Sequence, residues 1–438
     1  MQNNFLMKNF FYKASKSIIA AILYLSSMHA QAKMTVIYDS EAQNVIEKIV
    51  EPIFITAKLR KPQIFVIADP TPNAFTAGGE TIYINTGLIY KFPDPNILRG
   101  VVAHEVGHIT SRHVSRILNY AEYQKKIATS SLILGLIGFA ITKDPNLIIH
   151  GAVIGSHTAE RSVLKYSREN ETAADIKAEG YLRAAGYNAN GLISLLEYFA
   201  KEAKMAYGVN AYDLTHPITR DRIYLIKSKN INGHNFTENN SLLNQYQMVG
   251  AKLSGYTTQS IDRKIYNKDA VQYAEAIIAM KKSNKQAALE KINYLIAQKP
   301  SNPYFYQLKG EILGFFGDRS ALDEFKKASL ITNDPILQVE KAIAEIKFYK
   351  DKAKIKMAIM MIESSSSNFT QNNIILDYLS LGYDKIGDTP YSIYYRALGQ
   401  KNNGNIKLAK ILAKQCKATS QNNSILALKC DDIINTEE

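Results

Sequence analysis

Residues 101–109 read Val-Val-Ala-His-Glu-Val-Gly-His-Ile. His104 and His108 are four apart, so a helix stacks them on one face, one turn from each other. Two imidazoles so placed can share one zinc ion. Glu105 then lies beside the metal, where a carboxylate can take a proton from coordinated water. Val101, Val102, Val106 and Ile109 occupy neighbouring positions, which predicts a buried helix. Asp94-Pro95 opens it, Asp as N-cap and Pro in the first turn. No stop signal follows before about Lys126.

A zinc hydrolase uses three protein ligands and leaves one position open for water. The third ligand must come from another element. Glu169 and Glu171 are the candidates, on a helix expected from about Ala159 to Ala185 and stopped at Gly186. Asp175 favours Glu171, because it lies one turn further on the same face. One helix could then offer Glu171 to the metal and Asp175 to a ligand histidine, fixing its tautomer. Glu169 is six residues from Asp175 and points elsewhere.

Upstream, Glu41 to Ile55 has helical spacing, and Gln63 to Ala68 is an apolar run suited to a buried strand. Thr81-Ile82-Tyr83-Ile84-Asn85 alternates after the turn pair Gly78-Gly79 and reads as a second strand. Residues 1–32 carry Lys8, Lys13 and Lys16, an apolar stretch and a closing Ala30-Gln31-Ala32. They predict a secretory signal peptide cut after Ala32, the alternative being a retained membrane anchor. Residues 129–155 form an apolar insert, either a buried helical hairpin or one that touches a membrane or covers the site.

Beyond about Tyr256 only short helical patterns follow. Pro300 and Pro335 are 35 residues apart, close to the ~34-residue period of a paired-helix repeat. Ala321, Phe325 and Ala328 set small and large residues where neighbouring helices of such repeats meet. A non-repetitive helical bundle is the alternative. Cys416 and Cys430 are spaced to suit two facing helices, and an oxidising compartment would permit a disulfide.

Composition narrows the function classes. The chain has 438 residues, 46% hydrophobic and 21% charged, which excludes a disordered tail. Its two cysteines exclude a Cys-rich zinc module. No run reaches the ~18 apolar residues of a clear span, which excludes a polytopic membrane protein. The net charge is +13, yet no basic cluster with interleaved aromatics stands out, so no nucleic acid is expected as partner. Weak peripheral contact with an anionic membrane stays open.

Three elements together, His104-Glu105-Val106-Gly107-His108 with Ser111-Arg112-His113, Tyr166 to Asp175, and His216-Pro217 with Arg222, resemble the gluzincin family that includes the CAAX prenyl endopeptidases. The secretory start and repeat-like tail resemble its periplasmic, repeat-bearing members. The resemblance implies an α+β zincin-like metallopeptidase domain, mostly helical with a small sheet, over 33–260. An all-α tetratricopeptide-like helical repeat domain would follow over 261–438. It further implies one Zn2+ per chain on His104, His108 and Glu171, with Glu105 as general base and Asp175 orienting a ligand. His216 is implied as a fourth zinc ligand that holds the enzyme off, or else as an oxyanion donor. Arg222 is either a second oxyanion donor or the partner of an acid. The segment from Asn73-Ala74-Phe75 to Asn85 resembles the family's substrate edge, with Thr81, Ile82, Tyr83, Ile84 and Asn85 as the edge strand, the alternative being a strand buried in the sheet. His113 is read as structural.

The function implied is periplasmic endopeptidase activity in envelope protein quality control. Unfolded or misassembled outer-membrane proteins would be the clients and the beta-barrel assembly machinery a partner of the repeats. The competing reading is a chaperone or adaptor whose repeats capture clients while the peptidase stays latent.

Overall fold

The computed structural model describes residues 35–114, 157–205, 216–230, 236, 238–365, 372–420 and 424–436. The signal segment 1–32 and the apolar insert 129–155 lie outside the described residues. No helix among the described residues is long and apolar enough to cross a membrane.

A four-stranded sheet stands at the start: β1 (Val36–Ile37), β2 (Gln63–Ile67), β3 (Ala74–Phe75) and β4 (Thr81–Asn85), in the order β1-β2-β4-β3. β2 and β4 run parallel, Gln63 opposite Thr81 through Ile67 opposite Asn85. β1 and β3 are antiparallel additions on either side. The alternation in β4 turns Ile82 and Ile84 into the core.

The edge-strand expectation for Thr81–Asn85 is corrected here. Tyr83 and Ile84 pair with β3 on one side and with β2 on the other, so β4 is internal at those positions. The edge belongs to β3, because the chain folds Ala74–Phe75 back onto β4 through the turn at Gly78 and Gly79, both with positive φ.

Helices cover the sheet. α1 (Ser40–Thr56) is capped by Asp39, whose side chain accepts from the Ala42 N–H, and buries Ile46, Ile49 and Ile53. After the short α2 (Thr86–Lys91) comes α3 (Pro95–Thr110), where Asp94 accepts from the Asn96 N–H and Pro95 occupies the first turn. α3 ends at Thr110 rather than running on toward Lys126. Ser111 bonds back to Gly107, and Arg112 takes φ +53°, which a continuing helix cannot include. α4 (His157–Ala184), α5 (Asn190–Met205), α6 (Arg220–Lys229) and α7 (Asn240–Thr257) follow. Gly186, at φ +82°, turns the chain after α4 and lets Tyr187 N–H reach the Leu182 carbonyl. One apolar core joins α1, the sheet, α3, α4, α5 and α7 through residues such as Ile82, Val102, Leu182, Leu192 and Val249.

Ten helices complete the described chain, with no strand among them: α8 (Lys268–Lys281), α9 (Lys285–Gln298), α10 (Pro303–Phe315), α11 (Ala321–Ile331), α12 (Pro335–Phe348), α13 (Lys352–Glu363), α14 (Asn373–Ile386), α15 (Thr389–Asn402), α16 (Ile406–Thr419) and α17 (Ser424–Ile434). Each packs against its chain neighbour, and α8 with α10, α12 with α14 and α15 with α17 also meet. Recurrent caps set their starts. Asn267, Asn284, Asn302, Asp334, Asp351, Asn372 and Asp388 each accept a backbone N–H of the first turn. A disulfide joins Cys416 of α16 to Cys430 of α17.

A buried polar seam ties the first core to this array. Lys252 of α7, 1% exposed, lies 2.7 Å from Asp39 and 3.3 Å from Glu41. Tyr273 of α8 donates to Glu41 at 2.8 Å, and Asn44 of α1 donates to the Tyr304 hydroxyl at 3.0 Å and to Asp334 at 3.1 Å.

Candidate metal centre

α3 presents both histidines of its central turn toward α4. His104 Nε2 and His108 Nε2 lie 3.0 Å apart. Glu171 of α4 meets them with one oxygen each, Oε2 at 3.2 Å from His104 Nε2 and Oε1 at 3.2 Å from His108 Nε2. This approach needs Gly107: a Cβ there would sit 2.7 Å from the Ala174 carbonyl oxygen. Glu169 is exposed and outside the cluster.

One turn beyond Glu171, Asp175 Oδ1 lies 2.9 Å from His104 Nδ1. Arg222 of α6 grips the same carboxylate, Nε donating to Oδ2 at 2.7 Å and Nη2 to Oδ1 at 2.9 Å. Its Nη1 donates to the Pro217 carbonyl at 2.9 Å and lies 3.0 Å from Glu171 Oε2. The guanidinium is thus engaged on every edge. It links α4 to the segment carrying His216.

His216 enters from the third element. Its Nδ1 is 3.2 Å from Glu171 Oε2 and 3.3 Å from His104 Nε2. Its Nε2 is 3.3 Å from the Ala74 carbonyl on the β3 edge and 3.5 Å from Glu105 Oε1. Glu105 is 1% exposed, and neither carboxylate oxygen has a hydrogen-bond partner among the described residues. A buried carboxylate left so is costly unless a water or a cation faces it.

The donor set fits a metal ion. His104, His108, Glu171 and His216 each offer one ligand atom, all within 4.8 Å of one another. A tetrahedral ion with bonds of 2.0–2.1 Å separates its ligands by roughly 3.3 Å, and His104 Nε2 lies 3.0 Å from His108, 3.2 Å from Glu171 and 3.3 Å from His216. A His104 that keeps its proton on Nδ1, where Asp175 faces it, would offer Nε2 to a cation at the cluster. Charge agrees. Burial would lower the His104 imidazole, yet Asp175 and Glu171 push it up to about 10. Burial would raise Glu171, yet His216, Arg222 and His108 draw it well below the usual carboxylate range. Asp175 is likewise held down against its burial, chiefly by Arg222.

His113 was not legible as a site residue. It is buried, and its Nδ1 lies 2.9 Å from His108 Nδ1, on the side of that ring away from the cluster.

Residues 39–230 match the model of Peptidase family M48. The chain carries an M48 metallopeptidase domain. The match spans β2, β3, β4 and the elements that bring His104, His108, Glu171 and His216 together. The chain is 23% identical over 350 residues to the beta-barrel assembly-enhancing protease of Yersinia pestis, covering 76% of this chain and 71% of that one. It is 24% identical over 306 residues to the protein of that name from Escherichia coli (strain K12), covering 64% and 59%. The mitochondrial metalloendopeptidase OMA1 of Schizosaccharomyces pombe is 28% identical over 168 residues, covering 38% and 46%. The chain thus spans 71% of the Yersinia relative's length and 59% of the Escherichia one's.

Proposed function

We propose that this chain is a zinc-dependent endopeptidase of the bacterial envelope. The M48 domain would span 33–260 after removal of 1–32, with tetratricopeptide-like repeats over 261–438. His104, His108 and Glu171 would hold one zinc ion, with Asp175 orienting His104. Zinc bound there supplies Lewis acidity, which acidifies water and polarises a peptide carbonyl. Glu105 takes the proton of the attacking water on its carboxylate and later delivers it to the leaving amide nitrogen. The β3 edge offers its backbone to an extended substrate, so that unfolded segments are read without regard to sequence. The observation that carries this reading is Glu105, a buried carboxylate with no hydrogen-bond partner among the described residues, beside a four-donor cluster.

The test is zinc content and casein hydrolysis of the full chain, wild type beside Glu105→Gln. Zinc retained with hydrolysis abolished supports the assignment; hydrolysis unchanged refutes it.

By analogy with relatives named for beta-barrel assembly, the clients would be misassembled outer-membrane proteins in the periplasm. The repeats would dock on the assembly machinery, and peripheral membrane contact would keep the enzyme near its clients. One observation favours the second reading, a latent peptidase serving as chaperone or adaptor. His216 sits at the fourth donor position and also contacts the Ala74 carbonyl. There it would exclude both the water and the substrate backbone. Alternatively, once displaced, it donates to the oxyanion.

A further inference from the structure

We propose that His113 is a positioning residue that prepares His108 as a ligand; the inference rests on the metal-centre reading above. A neutral histidine that offers Nε2 to a metal carries its proton on Nδ1. His108 Nδ1 lies 2.9 Å from His113 Nδ1. Two N–H groups cannot face each other at that distance, and two bare nitrogens gain nothing from it. One donates and the other accepts. With His108 as ligand, its Nδ1–H donates, His113 Nδ1 accepts, and His113 keeps its own proton on Nε2. The reverse assignment would aim a proton from His108 Nε2 into the 3.0 Å gap to His104 Nε2 and close the site.

The backbone is built for this contact. In a continuous helix, residue 113 would lie about 140° round from residue 108 and could not reach its ring. α3 stops instead at Thr110, and Arg112, at φ +53°, occupies the left-handed region that few residues other than glycine adopt. That residue turns His113 back beneath His108, the ring centroids 5.0 Å apart and the planes at 74°. His113 is 3% exposed, so the contact is made inside the protein. Ligand histidines ordinarily pass their second N–H to a carboxylate, a carbonyl or water. Here the two ligands differ: Asp175 faces His104, while a second imidazole holds His108.

The test measures zinc affinity of the full chain by competition with a chromophoric chelator, for wild type, His113→Leu and His113→Asn. Leu fills the space without an acceptor, whereas the Asn amide oxygen can accept where Nδ1 does. His113→Leu is expected to weaken zinc binding roughly 10–100-fold, with His113→Asn recovering most of the loss. Wild-type affinity in both variants would overturn the role, and so would equal losses in both, which would make His113 mere packing. Should His113→Leu fail to fold, nitrogen NMR of the histidine-labelled, zinc-loaded wild type decides. Bare His113 Nδ1 is expected, and a protonated one overturns the proposal. A wild-type chain that binds no zinc would sink the metal-centre reading itself, and this inference with it.

Discussion

Gly107 of α3 passes so close to Ala174 of α4 that a Cβ at position 107 would lie 2.7 Å from the Ala174 carbonyl oxygen and 3.0 Å from its Cα. The obstacle is backbone, not the end of a flexible side chain. Gly107→Ala must therefore push α4 outward and carry Glu171 from the two histidines. The expected cost is about 1–3 kcal/mol in urea denaturation, with loss of zinc from the purified protein. Gly180→Ala, on the same helix α4 but with open space around its Cβ, is the control: it should leave zinc unchanged and stabilise by about 0.5–1 kcal/mol.

Glu171 and Glu169 are two residues apart on α4, yet one is buried between His104 and His108 and the other is exposed. Glu171→Gln is expected to strip most of the zinc, and Glu169→Gln none. Asp175→Asn leaves the ligands in place but removes the charge facing His104, and should weaken zinc binding roughly 10–100-fold. Inductively coupled plasma analysis after dialysis distinguishes the three; equal losses from both glutamates would reject the ligand choice.

His216→Ala opens both the fourth donor position and the Ala74 carbonyl. Basal casein hydrolysis is expected to rise several-fold. A fall to background with zinc intact would move His216 to oxyanion stabilisation.

Lys252 holds together the seam between the first core and the helical array. Lys252→Met leaves Asp39 and Glu41 without their cation and is expected to destabilise by about 3–5 kcal/mol at pH 7. The sign with pH follows from Glu41. Burial already raises its pKa against the opposing pull of Lys252. Without that pull the folded value climbs further above the unfolded one. The protonated carboxyl then folds better than the ionised one, so the deficit shrinks as pH falls toward the unfolded value near ~4.3. Urea midpoints for both proteins at pH 7 and pH 5 check this. A deficit that widens at pH 5 would contradict it.

The centre was legible wherever local spacing carries the chemistry. His104, Glu105 and His108 share one helical turn, and Glu171 with Asp175 share another, so one-dimensional periodicity sufficed to nominate them. The paired helices were partly legible because caps such as Asp334-Pro335 punctuate them. Four features were not. β4 read as the edge because nothing in the segment from Asn73 to Asn85 signals that Ala74–Phe75 folds back on it as a strand of its own. α3 read as longer because Arg112 adopts a left-handed φ that its residue type does not announce. His113 was missed for the same reason, since its contact with His108 exists only after that turn. Lys252 and Glu41, 211 positions apart, meet only through the packing of whole helices.

Anomalous diffraction at the zinc edge, from crystals of the full chain grown with zinc, tests the metal centre most directly. The account predicts one peak per chain, roughly 2.0–2.2 Å from His104 Nε2, His108 Nε2 and a Glu171 carboxylate oxygen. A peak elsewhere, or none with Glu171 turned away from both histidines, would contradict it.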